Sequence, residues 1–139
     1  MGNDDGFFRD ALALGARDVE ESSAAQTRSN NPDVKRFAQR LVGAEGASNR
    51  RLADASHLQP PPADNGSLQG LSSPELDRRY LSDMIASHQN AIGLYERASR
   101  SAGNPATREL ASQILPNLRA QMATAQQLQN HLRPNPRTR

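Results

Sequence analysis

Apolar side chains recur every three to four positions along four long segments of the chain, which is the period of an α-helix and not that of a strand. Prolines, glycines and asparagines cluster between these segments and mark their ends. The pattern predicts helices over residues 5–28, 32–56, 74–102 and 105–132. It also predicts an irregular, Pro-rich linker over residues 59–71.

Two tight connections and one longer one favour an all-α fold, an antiparallel four-helix bundle with a Pro-rich crossover loop between helices 2 and 3. We expect residues 1–133 to form this single domain and residues 134–139 to form a disordered basic tail. Pro116 lies inside the fourth segment. Because the apolar pattern continues on both sides of it, we expect a kink near Ser112 and not the end of the helix.

The composition excludes several classes of protein. The chain has no cysteine, which excludes disulfide frameworks, thiolate metal sites and cysteine nucleophiles. Its 17 Lys and Arg residues nearly balance 15 Asp and Glu residues, and aromatic residues make up only 4%. Without a basic face or an aromatic platform, we expect no nucleic-acid binding. No apolar run approaches the roughly 20 residues that span a bilayer, so we expect no transmembrane segment. We also expect a monomer or a weak dimer.

Three polar residues interrupt the apolar stripes near the midpoints of their helices, namely Glu45, His88 and Gln121. The midpoints of antiparallel helices of similar length lie at one height in a bundle. We therefore predict that these three side chains are buried in one polar layer, within direct or water-bridged reach of one another. Asp18 or Glu21 is the nearest candidate from the first helix.

This polar layer has a structural and a metal-binding interpretation. Buried polar groups are usually paired with one another, and such a network can fix the register of the helices. Carboxylate and imidazole side chains that face one another are also the usual ligands of metal sites in helical bundles. The Glu-x-x-His spacing of di-iron bundles is absent, because Ile85 and Ala91 stand three residues before and after His88. No catalytic motif is present, so catalysis is not expected.

Several short stretches resemble the bacterial family catalogued as domain of unknown function 4142. They are Asn-Pro-Asp-Val-Lys-Arg-Phe-Ala-Gln at 31–39, Leu-Asp-Arg-Arg-Tyr at 76–80, and Leu-Pro-Asn-Leu at 115–118, together with His88. The resemblance implies a ferritin-like four-helix bundle that is usually made with a signal peptide and exported to the periplasm or beyond, without an established activity. Family members typically carry histidines where this chain has Glu45 and Gln121, and Glu20 matches an acidic position on the first helix.

Two functions follow from the polar layer. In the first, the chain is a non-catalytic exported bundle, acting in envelope stress or as an interaction module, with a structural layer and no cofactor. In the second, it holds one divalent ion, zinc, manganese or iron, through Glu45, His88 and an acid of the first helix, which is Asp18, Glu20 or Glu21. The replacement of two family histidines favours the first function.

A third function is recognition of an unknown protein partner through an exposed helix face. Phe7 and Phe8 at the start of the first helix are the place to look for such an apolar patch. The remaining histidines, His57 and His131, lie at helix ends and are not expected to bind a ligand.

Overall fold

The computed structural model describes residues 4–132 of the chain. It contains α1 (Asp5–Arg28), α2 (Pro32–Ser56), α3 (Glu75–Ser101) and α4 (Pro105–Leu132), with a 3-10 turn at Gly66–Leu68. Within this part of the chain no strand is present, and the predicted all-α fold is confirmed. The helix α4 continues through Pro116. The predicted tail over 134–139 lies outside the described residues.

The start and the end of α2 show how the sequence sets the helix boundaries. The side-chain oxygen of Asn31 accepts hydrogen bonds from the backbone amides of Asp33 and Val34, at 2.9 and 3.2 Å, and Pro32 occupies the first helical position. At the other end, His57 adopts a left-handed conformation with φ 60°, which is typical of helix C-termini. The backbone N–H of His57 caps the helix through the carbonyl oxygen of Ala53, and the side chain is exposed.

The apolar core consists of two clusters at opposite ends of the bundle. The near cluster contains Phe8, Ala11, Leu12, Leu52, Ala91, Tyr95, Ala98, Ala102, Leu110, Ala111, Ile114, Leu115 and Leu118. The far cluster contains Ala24, Ala25, Val34, Phe37, Ala38, Leu41, Leu68, Leu76, Tyr80, Leu81, Met84 and Ala125. These memberships place the starts of α1 and α4 at the same end as the last turns of α2 and α3.

The helices therefore run in an up-down-down-up order along the chain. The pairs that pack side by side, α1 with α2, α3 with α4, α1 with α3 and α2 with α4, are antiparallel. Packing is most extensive between α1 and α2 and between α3 and α4, and contacts of α1 with α3 and of α2 with α4 close the bundle. The crossover from α2 to α3 runs along the length of the bundle. This topology leaves all four helix midpoints at one height.

The crossover is anchored although its sequence has no helical period. The side chain of Leu68 is fully buried in the far cluster. The Arg28 guanidinium donates hydrogen bonds to the carbonyl oxygens of Leu68 and Leu71, at 3.0 and 2.6 Å. These contacts hold the second half of the linker against α1.

Phe7 and Phe8 do not form an exposed patch, and the sequence-based interpretation of them as a docking face was wrong. Phe8 is buried in the near cluster. Phe7 is half-buried and packs edge-on against Tyr95, with ring centroids 5.1 Å apart. Both rings pack against the end of the bundle and help to close it. None of the helices in residues 4–132 combines the length and the hydropathy needed to cross a membrane.

Candidate metal centre

Three ionisable side chains from three helices meet between the two apolar clusters. They are Asp18 of α1, Glu45 of α2 and His88 of α3, whose exposed fractions are 1%, 5% and 1%. Each offers one ligand atom, and these atoms lie within 4.8 Å of one another. The imidazole lies close to both carboxyls: its Nε2 is 3.6 Å from Glu45 Oε2, and its Nδ1 is 3.8 Å from Asp18 Oδ2.

The backbone of α3 sets the orientation of the imidazole. Nδ1 of His88 lies 2.8 Å from the carbonyl oxygen of Met84, one turn earlier. Because a carbonyl can only accept, Nδ1 carries a proton, and the neutral ring then has its lone pair on Nε2. Histidines that bind metals usually donate their other ring N–H to a carbonyl or a carboxylate in this way. Nε2 is therefore the ligand atom that His88 offers.

Gln121 covers the imidazole from the side of α4. Its Oε1 lies 2.8 Å from His88 Nε2, within the predicted reach, but the side chain is half-buried, whereas the sequence predicted that it is largely buried. The reason is that Gln121 faces a surface groove between α2 and α4. A half-turn of its amide exchanges the oxygen and the nitrogen, so Gln121 can accept from a protonated ring or donate to a neutral one.

The two carboxyls of the centre resist being ionised together. Burial raises the pKa of Asp18, although Ser87 donates a hydrogen bond to its Oδ1 at 2.6 Å. Burial and the neighbouring charge of Asp18 raise the pKa of Glu45 well above its ordinary value. No donor among the described residues faces the buried Oε1 of Glu45. Burial therefore favours a shared proton or a cation at the pair over two bare carboxylates.

A small cavity adjoins the carboxyls. Its volume is about 10 Å³, and Asp18, Glu45 and Gln121 are among the polar residues of its wall. This is close to the least volume that holds one water molecule. Apolar side chains such as Tyr95 and Leu118 form much of the remaining wall. The cavity leaves room for one small ion or one water molecule beside the acids.

The structure separates the three acids of α1 that the sequence offered as ligands. Asp18 joins Glu45 and His88, whereas Glu20 lies outside this group and is half-buried. Two residues along a helix correspond to a rotation of about 200°, so Glu20 points away from the centre when Asp18 points toward it. Glu21 is buried but lies beside Asp83, in a recess between α1 and α3.

Ser87 is a contributor to the centre that the sequence analysis missed. Its hydroxyl is buried and bonded to Asp18. The spacing contains a signal for it, because Ser87 lies three residues after Met84 and four before Ala91 on the buried stripe of α3. His131, in contrast, is exposed and bonds only to the carbonyl oxygen of Gln127 among the described residues.

Comparison with known proteins identifies a family. The profile described as "Domain of unknown function (DUF4142)" matches residues 1–128. A search of curated proteins gives no match to the chain.

Solved structures share the fold at low sequence identity. A DUF305 fragment from Deinococcus radiodurans matches with a TM-score of 0.79 and 18% identity, over 91% of this chain and 94% of that chain. CopM in its Cu(I)-bound form matches with a TM-score of 0.80 and 16% identity, over 96% and 100%. A conserved hypothetical protein from Mycobacterium tuberculosis matches with a TM-score of 0.73 and 15% identity, over 95% of this chain and 94% of that chain. At these identities the likeness concerns the helical bundle alone.

Proposed function

The chain belongs to the DUF4142 family, and we propose that it binds one divalent cation through Asp18, Glu45 and His88. The observation that carries the proposal is the buried group of three ligand atoms within 4.8 Å of one another. A doubly charged cation balances two carboxylates whose ionisation burial otherwise opposes. Because a cation competes with protons for carboxylate and imidazole ligands, affinity rises with pH.

The ligand set favours zinc, manganese or iron(II). Carboxylate and imidazole ligands suit these ions, whereas copper(I) and silver prefer thiolates and thioethers. The structural neighbour CopM has been solved in Cu(I)-, Cu(II)- and Ag-bound forms. This chain has no cysteine, and the sulfur of Met84 faces the Ser22 hydroxyl at 3.9 Å. The residues of this centre therefore do not fit copper(I) or silver.

Gln121 has a defined part in this function. Its amide lies on the Nε2 side of His88, where the ring offers its lone pair. To admit a cation, the amide must rotate away or contribute its oxygen as a further ligand. Amide oxygen is a weak ligand beside carboxylate and imidazole, so we assign Gln121 to covering the centre and the other three residues to holding the ion.

A structural role of the same layer is the second candidate. Both ring nitrogens of His88 already have partners at 2.8 Å, namely the Met84 carbonyl oxygen and Gln121 Oε1. A protonated ring between Asp18 and Glu45 would fix the relative rotation of three helices without any metal. In this case the chain is a non-catalytic bundle whose layer specifies its packing.

Metal analysis of protein made without a histidine tag separates the two candidates. After dialysis against zinc, manganese or iron(II), we expect the protein to retain one metal ion per chain, as measured by elemental mass spectrometry. His88→Ala and Glu45→Gln should each weaken binding by at least about tenfold, since even outer-shell changes have effects of that size. His57→Ala changes an exposed histidine and should leave binding intact. Failure of the wild type to retain any of these ions above the level of His88→Ala would contradict the proposal.

Export and a role in the cell envelope are also proposals, and they rest on family membership. Fractionation of cells that express the full-length gene product tests export. Recovery in the periplasmic or secreted fraction supports it, and recovery with the cytoplasmic fraction contradicts it.

A further inference from the structure

A second cluster of acids lies in a surface recess between α1 and α3. The recess has a volume of about 320 Å³. Carboxyls from three segments line it, namely Glu21 of α1, Asp64 of the linker and Asp83 of α3. Arg17 is the cationic residue in its wall, so three carboxyls face one guanidinium. The recess therefore attracts cations.

Glu21 is buried in the recess without a matching donor. Its exposed fraction is 4%, and no hydrogen-bond partner among the described residues faces its Oε1. Burial and the adjacent Asp83 raise the pKa of Glu21 to about 8. Asp83 itself is held in place by the Ser67 hydroxyl, at 2.6 Å from its Oδ2. A cation between Glu21 and Asp83 would supply the partner that the protein does not.

The floor of the recess is the wall of the buried centre. Ser87 lines the recess, and its hydroxyl donates to Asp18 Oδ1 at 2.6 Å. Met84 also lines the recess, and its carbonyl oxygen holds the imidazole of His88 at 2.8 Å. The side chain of Ser87 thus links the recess to the carboxyl of Asp18.

The opposite side of the centre is unfavourable for cations. The groove between α2 and α4 has a volume of about 260 Å³ and reaches Gln121. Arg40 lines it, and no acidic residue among the described ones does. Both openings approach the same centre, but their charges have opposite signs.

We propose that the acidic recess is a second cation site, from which a divalent ion passes Ser87 to reach the buried centre. This inference rests on the proposed metal binding at Asp18, Glu45 and His88. The ion first binds Glu21 and Asp83, and the proton on Glu21 leaves to solvent. The Ser87 hydroxyl then turns from Asp18, which exposes the carboxylate to the ion.

Stopped-flow absorption with Co²⁺ tests the route, because the visible spectrum of Co²⁺ changes when carboxylate and imidazole ligands replace water. Ala86→Arg adds a cation to the recess, and Ala120→Arg adds the same side chain to the α2–α4 groove. Both alanines are exposed helical residues, and arginine is a good helix former. We expect Ala86→Arg to slow association by about tenfold and Ala120→Arg to leave it nearly unchanged, with the same final spectrum.

Removal of the recess acids provides a second, independent variant. Glu21→Gln with Asp83→Asn should slow association and weaken its dependence on salt. The exposed pair Asp10→Asn with Glu109→Gln makes the same two kinds of substitution elsewhere and should have little effect. Circular dichroism of each variant checks that it is folded.

The outcomes separate the two proposals. If the wild type gives no Co²⁺ spectrum and retains no metal, metal binding itself fails and the recess fails with it. If the wild type binds Co²⁺ but Ala86→Arg and Ala120→Arg associate equally fast, only the recess is overturned. If the variant without the carboxyls of Glu21 and Asp83 binds Co²⁺ at the wild-type rate, the recess is likewise overturned.

Discussion

At the scale of single residues, the centre of the bundle contains two acids for one imidazole, in surroundings that oppose ionisation of the acids. Asp18 and Glu45 place two carboxyls beside His88, and all three are nearly closed to solvent. A buried carboxylate without a partner is costly, so each carboxyl depends on the imidazole, a proton or a cation. His88 is therefore a residue on which the metal-free protein depends.

The first prediction follows from this dependence. His88→Leu removes the imidazole that faces two buried acids and should destabilise the metal-free protein by about 3 to 5 kcal/mol at pH 7. The loss should shrink at pH 5, where the carboxyls are more readily protonated. Urea denaturation in the presence of a chelator measures both values. His131→Leu, on an exposed histidine, should change the stability by no more than about 0.5 kcal/mol. Equal losses in the two variants would contradict a paired centre.

The pKa of Glu21 leads to a second prediction. It rises from 4.5 to about 8 on folding, so between these pH values the folded protein binds a proton that the unfolded chain does not. Stability therefore falls as pH rises through this window, by at most about 1.4 kcal/mol per pH unit for this group. Glu21→Gln removes this contribution, so its stability relative to the wild type should rise from pH 5 to pH 8. A constant difference, measured by urea denaturation without metal, would contradict the raised pKa.

At the scale of helices, the approach of α1 to α2 depends on a glycine. A Cβ built on Gly15 would lie 2.1 Å from Oδ1 and 2.8 Å from Cγ of Asn49, whereas one on Gly43 would meet nothing within 4 Å. Both glycines lie inside helices, where alanine is intrinsically favoured. The two positions thus form a pair in which Gly15 is buried against the neighbouring helix and Gly43 is exposed.

The third prediction uses this pair. Gly15→Ala should destabilise the protein by about 1 kcal/mol or more, because the amide of Asn49 must move or the helices must separate. Gly43→Ala should stabilise it by about 0.5 to 1 kcal/mol. Adding Asn49→Ala to Gly15→Ala should restore much of the loss, since it removes the clashing amide. Thermal denaturation of the four proteins provides the measurement, and a loss that Asn49→Ala does not reduce would place the strain elsewhere.

The helices were predictable because their signals are local. Asn31 with Pro32 marks the start of α2 in the sequence, and in the structure this asparagine caps the helix. The choice among Asp18, Glu20 and Glu21 was not predictable. These residues lie within one turn of α1, and the rotation of that helix against its neighbours decides which of them faces His88. Contacts such as that of Gly15 with Asn49 set this rotation, and no periodicity within α1 reports it.

The linker and the recess were beyond prediction for a related reason. Leu68 lies in a segment with no period, so nothing in the sequence indicates that it fills the far cluster. The recess joins Glu21, Asp64 and Asp83, which are distant in sequence and meet only because the crossover runs along the bundle. Long-range topology, and not local propensity, creates both features.

At the scale of the whole molecule, the candidate centre lies at the junction of two core clusters. Each helix contributes to both clusters, and the proposed ligands come from α1, α2 and α3. A bound ion would therefore link three helices at the height where apolar packing is interrupted. Because the unfolded chain lacks this arrangement of ligands, binding should stabilise the entire bundle and not one segment.

The last prediction concerns this linkage. A zinc concentration one hundred times the dissociation constant should stabilise the folded protein by about 2.7 kcal/mol, and each further tenfold increase should add about 1.4 kcal/mol. For a chain of this size the melting temperature should rise by several degrees, and a chelator should reverse the rise. Glu45→Gln and His88→Ala should abolish it, whereas Ala120→Arg should retain it, since its side chain lies outside the ligand set. Zinc bound by histidines of the unfolded chain would lower the melting temperature of every variant alike. If the wild-type melting curve does not change with zinc, manganese, iron(II) or a chelator, the role of these residues is the structural one.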